Sequence, residues 1–143
     1  MDKFQLMQAA NGERPIADNI EELERHDALR AQWIADHIEG TKVIDIGCST
    51  GFMASLIGDD VKYVGLDYNK EVIDYAKELY KGNPNVQFQN VSLQNMHFVD
   101  AKIADTIIAA EVIEHLENGL DYIPVYFLLE FLPFLWLVFP PVL

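Results

Sequence analysis

The sequence is short of cysteine and of basic residues, and each shortage narrows the range of functions. Cys48 is the single cysteine, so the chain cannot form an internal disulfide. The N-terminus also lacks the basic-then-apolar pattern of a secretory signal, and we therefore expect a protein of the reducing cytoplasm. Ten Lys and Arg face 23 Asp and Glu, which gives a formal net charge of −13. Because that charge repels phosphate backbones, nucleic acid is expected to be a poor partner.

Polar residues become rare after residue 122, which divides the 143 residues into two parts. Residues 1–122 have the length and mixed composition of one globular domain. Residues 123–143 form an almost wholly apolar, proline-rich tail to which we assign no structure. The tail is long enough to span a membrane, but Glu130 and its prolines argue against a regular spanning helix. Any membrane contact is expected through this tail only; the alternatives are a buried or partner-covered tail, or a frame-shifted or truncated gene product.

Before the tail, short apolar runs alternate with stretches of helical spacing. The runs predict four β-strands, at Thr41–Ile46, Val61–Leu66, Val86–Val91 and Asp105–Ala110. Helical spacing is found from about Asn19 to His37, after Phe52, and from Glu71 to Tyr80. Such alternation predicts an α/β fold with right-handed crossovers and an open, mainly parallel sheet flanked by helices.

A glycine turn follows the first predicted strand, in the run V-I-D-I-G-C-S-T-G that ends at Gly51. Ligands of open α/β sheets bind beyond the carboxyl ends of the strands, where this turn is expected. Gly47 and Gly51 have no Cβ, so the backbone can turn sharply and approach a ligand. Asp45 can accept hydrogen bonds from an ammonium group or a water. A plain strand-to-helix turn is the alternative interpretation.

A carboxylate also ends the second predicted strand, at Asp67. Its two oxygens can accept hydrogen bonds from both hydroxyls of a ribose. The stretch of chain between Gly51 and Asp67 has the length of one helix followed by one strand. A solvated loop carboxylate is the alternative.

The glycine turn and Asp67 together resemble class I S-adenosylmethionine-dependent methyltransferases, in which an acidic residue precedes alternating glycines. Ser49 stands where the middle glycine usually is, a mild change because serine is small. The resemblance implies a Rossmann-like sheet and S-adenosylmethionine as cofactor. Its expected contacts in this part of the chain are Asp45, Gly47, Cys48, Ser49, Gly51, Asp67 and Tyr68.

A nicotinamide-dependent oxidoreductase has a similar ribose carboxylate and is the second class of function considered. Its turn is G-x-G-x-x-G, which places a pyrophosphate at a helix N-terminus. Phe52 occupies the position of the last glycine here, so the spacing favours the methyltransferase.

The segment after the third predicted strand resembles the part of these methyltransferases that binds adenine. Ser92 stands where the family most often has an aspartate for the exocyclic amine, and Leu93 would offer its backbone N–H to the ring. An ordinary strand-to-loop turn explains the same residues.

The segment after the fourth predicted strand contains E-x-x-E-H, as Glu111, Glu114 and His115. It resembles the segment that supplies metal ligands in ubiquinone-pathway O-methyltransferases and small-RNA 2′-O-methyltransferases. These side chains can bind Mg²⁺ or a softer divalent ion. The rival interpretations are that His115 is a general base for a substrate hydroxyl, and that Glu111 lines the methionyl end of the cofactor.

The resemblance runs from about Asp27 to Leu120 and implies methyl transfer to an acceptor that is a small molecule or a protein, with a hydroxyl oxygen as the first expectation. Beyond Asp121 we find no sequence signal for a fifth strand, so the sheet is expected to end at strand four in the order 3-2-1-4. That apolar edge would invite an oligomer unless the tail covers it. The remaining alternatives are a truncated domain that binds cofactor without turnover and a membrane-tethered or partner-binding module.

Overall fold

The computed structural model describes residues 5, 16–92, 104–110, 112 and 135–138, the last group as backbone only. Its centre is one sheet of five parallel strands in the order β3-β2-β1-β4-β5. The strands are β1 Lys42–Ile46, β2 Lys62–Asp67, β3 Val86–Asn90, β4 Thr106–Ala110 and β5 Leu135–Val138. The α/β class, the parallel sheet and the predicted order of the first four strands are confirmed.

The two faces of the sheet carry separate apolar clusters, because successive side chains of a strand point to opposite faces. The first face includes Val43, Tyr63, Phe88 and Ile108 and is covered by residues of both described α-helices. Those helices are α1 Arg25–Asp36 and α2 Lys70–Leu79. The second cluster is formed by Ile44, Ile46, Leu66, Ala104, Ile107, Ala109 and Val112. Burial on both faces explains why the central strands are continuous apolar runs.

The helix predicted from about Asn19 to His37 is divided in the structure. A short 3-10 helix, Ile20–Glu22, comes first, and α1 begins only at Arg25. The Asn19 side chain accepts a hydrogen bond from the Glu21 N–H and so caps the short helix. Leu23 and Glu24 then have extended backbone, which separates the two helices.

The helix predicted after Phe52 is also shorter than its apolar spacing indicates. Only a 3-10 helix over Phe52–Ser55 forms there. Gly58 and two aspartates follow within a few residues, and β2 begins at Lys62. The 3-10 helix is therefore the single helical element of this segment, all of which the structure describes.

The prediction that the sheet ends at β4 is wrong, because β5 comes from the apolar tail. It pairs in parallel with β4, from Ile107 opposite Leu135 to Ala110 opposite Val138. Within the described residues β4 is therefore an internal strand, as expected if the tail covers that edge. A strand within a uniformly apolar segment has no flanking polar signal that would reveal it in the sequence. The boundary drawn at residue 122 between domain and tail stays a prediction.

Candidate site at the carboxyl ends of the strands

The glycine turn is fastened to the neighbouring strand by backbone hydrogen bonds. The N–H groups of Gly47 and Cys48 both donate to the carbonyl oxygen of Leu66, at 2.7 and 3.1 Å. The predicted turn residues after β1 and the end of β2 therefore lie side by side, at the edge of the sheet where ligands of such folds bind.

Three residues of this turn have left-handed backbone, with φ of 76° at Gly47, 53° at Ser49 and 80° at Gly51. Glycine adopts this region freely, whereas a residue with a side chain is strained there by about 1 kcal/mol or more. The expectation that serine is a mild replacement for glycine is therefore corrected. Ser49 is small enough to be buried, but its backbone conformation carries a cost that its size does not show.

Asp67 is buried and held in one orientation. The residue is 3% exposed. One carboxylate oxygen accepts the Ser49 N–H at 3.1 Å, and the other accepts the Asn69 N–H at 2.9 Å. The alternative of a solvated loop carboxylate is wrong. The carboxylate is joined to the glycine turn, which brings the two sequence signals into one site.

Asp45 is buried next to the glycine turn, at 4% exposure. The Tyr63 hydroxyl donates to its Oδ2 at 2.5 Å. Burial, and then the nearby charge of Asp45, raises the pKa of Tyr63 well above its usual value. Tyr63 therefore stays protonated and remains a donor.

The side chain of Cys48 points into the first apolar cluster and is 2% exposed. Its side chain is therefore not available to a ligand at the surface of the turn, whereas its backbone lies in the turn itself. Tyr68, the residue after Asp67, is different because it is 55% exposed.

Phe88 is a structural part of the site that sequence reasoning missed. A Cβ at Gly51 would lie 2.4 Å from the Phe88 ring, and a Cβ at Gly65 would lie 2.7 Å from it. Both glycines therefore leave space for this ring. The Tyr80 hydroxyl also donates to the Gly51 carbonyl at 2.8 Å, which ties the turn to the end of α2.

Asn90 was also missed. It ends β3 opposite Asp67, and its side-chain amide donates to the carbonyls of Asp67 and Tyr68, at 3.0 and 2.8 Å. An asparagine at the end of the strand beside a predicted ligand residue was the available signal.

The remaining predicted residues are described in part or not at all. Ser92 follows β3 and is half-buried. Leu93, Glu111, Glu114 and His115 lie outside the described residues. Within the described ranges no three His, Cys, Asp or Glu side chains are grouped as a metal site requires. No described helix is both long and apolar enough to cross a membrane.

Sequence comparison identifies relatives among methyltransferases. A family profile described as a methyltransferase domain matches residues 37–124. A protein of Mycolicibacterium smegmatis named as an S-adenosylmethionine-dependent methyltransferase is 31% identical, over 78% of this chain and 43% of its own. The ubiquinone biosynthesis O-methyltransferase of Thiobacillus denitrificans is 26% identical, over 63% of this chain and 40% of its own. The chain spans less than half the length of these relatives.

Solved structures share the fold. The plantazolicin methyltransferase BpumL, in complex with SAH, superposes with a TM-score of 0.58 at 23% identity, over 94% of this chain and 49% of its own. The YcgJ protein of Bacillus subtilis superposes with a TM-score of 0.56 at 24% identity. The match covers 70% of this chain and 44% of the YcgJ chain. These likenesses confirm the Rossmann-like architecture. With more than half of its residues matched by the family profile, the chain belongs to the methyltransferase domain family.

Proposed function

We propose that this chain binds S-adenosylmethionine at the carboxyl ends of β1 and β2 and transfers its methyl group to an acceptor. The observation that carries the proposal is that the Asp67 carboxylate is buried and held by the Ser49 and Asn69 N–H groups. The chain that contains it belongs to the methyltransferase domain family. Family membership sets aside the nicotinamide-dependent alternative.

The residues present fit an adenosyl cofactor. Asp67 supplies fixed acceptor oxygens of the kind that ribose hydroxyls require. Asp45 supplies a second carboxylate, suited to an ammonium group, on the strand that leads into the same turn. When bound, the cofactor would supply an activated methyl group on a sulfonium. The chain's part is to hold donor and acceptor in line, since a displacement of this kind depends mainly on orientation.

The proposed acceptor is a hydroxyl oxygen of a small molecule or protein side chain. Several relatives are named as ubiquinone biosynthesis O-methyltransferases, which supports an oxygen acceptor. His115 would serve as the base that removes the hydroxyl proton, because its ordinary pKa near 6.5 suits that step at neutral pH. Binding of a metal by Glu111, Glu114 and His115 is the rival proposal for the same segment.

A cofactor-binding domain without turnover is the second candidate function. The described residues that fit the cofactor, Asp67 and the glycine turn, are all that this candidate requires. Both candidates predict cofactor binding, and an acceptor screen separates them.

The proposal also includes the location of the protein and its partners. A cytoplasmic location is supported by the lone Cys48, which is buried and cannot form an internal disulfide. The charge of −13 argues against nucleic acid as the acceptor. Among the described strands β4 is paired on both sides, so an oligomer formed at the sheet edge would use the edge at β5 or β3.

The proposal is tested by measuring S-adenosylhomocysteine binding to Asp67→Asn. The amide cannot accept hydrogen bonds at both of its ends, so we expect binding to weaken by about 10- to 100-fold, the range for losing a hydrogen bond to a charged group. Asp59→Asn is the matched control, since Asp59 is exposed in the turn before β2, at the other end of the strand. Equal affinity of the two folded variants would overturn the assigned site.

A further inference from the structure

Tyr63 carries a hydroxyl group into the buried core on the first face of the sheet. It is 1% exposed and belongs to the first apolar cluster. Its ring meets the edge of Phe88, with centroids 5.9 Å apart and planes at 63°. Packing thus fixes the ring, and the ring fixes the hydroxyl that donates to Asp45. Packing does not explain the hydrogen bond from the Tyr63 hydroxyl to the Asp45 carboxylate.

The strand register explains how this bond reaches across the sheet. Asp45 lies opposite Gly65 in β2, and Tyr63 lies opposite Val43. All four residues belong to the same sheet face, because side chains alternate along each strand. Gly65 has no side chain next to Asp45, so the Tyr63 hydroxyl reaches the carboxylate along the diagonal. The bond occupies Oδ2 and thereby selects one rotation of the carboxylate.

We propose that Tyr63 is a positioning residue, which orients the Asp45 carboxylate toward the ammonium group at the methionyl end of the cofactor. The inference rests on the proposed function. A carboxylate whose rotation is set before binding loses less freedom when it pairs with the ligand. Tyr63 acts through Asp45 and is not expected to contact the cofactor.

The test compares two ligands that differ in the part that Asp45 would bind. S-adenosylhomocysteine has the amino-acid end, whereas 5′-methylthioadenosine shares the adenosine and the sulfur but lacks that end. Tyr63→Phe is expected to weaken the binding of S-adenosylhomocysteine about three- to tenfold, the effect of having to order one side chain on binding. Its affinity for 5′-methylthioadenosine is expected to stay within about twofold, inside the usual uncertainty of additivity. Tyr75→Phe is the matched control, because its hydroxyl donates to a different carboxylate, that of Asp18.

A second variant shows whether the effect passes through Asp45. In an Asp45→Asn background, Tyr63→Phe is expected to change S-adenosylhomocysteine binding less than twofold, about the limit for independent sites. This double variant also leaves no ionised carboxylate without its tyrosine donor, so it serves if Tyr63→Phe alone does not fold. Similar weakening of both ligands in Tyr63→Phe, or no weakening of either, would overturn the inference. Failure of the proposed function is distinguishable, since the folded unmodified chain would then bind neither ligand.

Discussion

Gly51 is required for two separate physical reasons, and replacement by alanine measures them together. Its φ of 80° lies in the left-handed region, which costs a residue with a Cβ about 1–2 kcal/mol. The new Cβ would also lie 2.4 Å from two atoms of the Phe88 ring. Overpacking of this kind costs about 1–3 kcal/mol. We expect Gly51→Ala to lower the free energy of unfolding by about 2–5 kcal/mol.

Two further glycines separate these contributions. Gly82 has φ of 95°, and a Cβ added to it would meet no atom of the described residues within 4 Å, so Gly82→Ala tests the backbone cost alone. Gly65→Ala tests the steric cost, because the Cβ would lie 2.7 Å from Phe88 and 2.8 Å from the Cys48 sulfur, in an ordinary strand.

Urea unfolding followed by circular dichroism gives the three free energies. We expect Gly51→Ala to be the most destabilised of the three variants. Phe88→Leu removes the ring atoms nearest to Gly51, so the cost of Gly51→Ala in that background should fall to about 1–2 kcal/mol, the backbone contribution. An unchanged cost in the Phe88→Leu background would refute the steric argument. A Gly51→Ala variant as stable as the parent would refute both arguments.

Substitutions at three other positions test local features of the structure. Ser49→Gly is expected to be more stable than Ser49→Ala by about 1 kcal/mol in urea unfolding, because only alanine retains the strain at φ of 53°; equal stabilities would contradict that strain. Asn69→Ala removes the cap that accepts the Glu71 and Val72 N–H groups, and should lower the melting temperature by an amount equivalent to about 1 kcal/mol, whereas no change would show the cap to be dispensable. Since the folded-state pKa of Tyr63 is raised, its contribution to stability is complete below the unfolded-state pKa of about 10 and is lost as pH rises through the folded-state value. Tyr63→Phe should therefore lose less stability than the parent above about pH 10, and parallel pH curves would contradict the burial of an ionisable hydroxyl.

The sequence was sufficient for the parts of the fold that depend on local pattern. The four apolar runs became β1 to β4 because continuous burial in a parallel sheet leaves a periodicity that can be recognised. Asp67 and the glycine turn were predicted because each ends or follows a strand. Their bonding through the Ser49 N–H agrees with a common site.

Features that depend on strand register or on backbone conformation were not predictable in this way. The contact between Tyr63 and Asp45, and the packing of Phe88 against Gly51, exist only once the strands are aligned. The left-handed backbone of Ser49 follows from the turn as a whole and not from the residue type. The strand at Leu135–Val138 lies in an almost wholly apolar segment, where hydrophobicity alone does not mark the residues that form a strand.

The account depends most on the claim that the site binds an adenosyl cofactor. Calorimetric titration of the purified chain with S-adenosylhomocysteine, and separately with NAD, tests that claim directly, with circular dichroism to show that the chain is folded. We predict saturable binding of S-adenosylhomocysteine at one site per chain, and no heat of binding from NAD. A folded chain that binds NAD, or that binds neither ligand, would contradict the account.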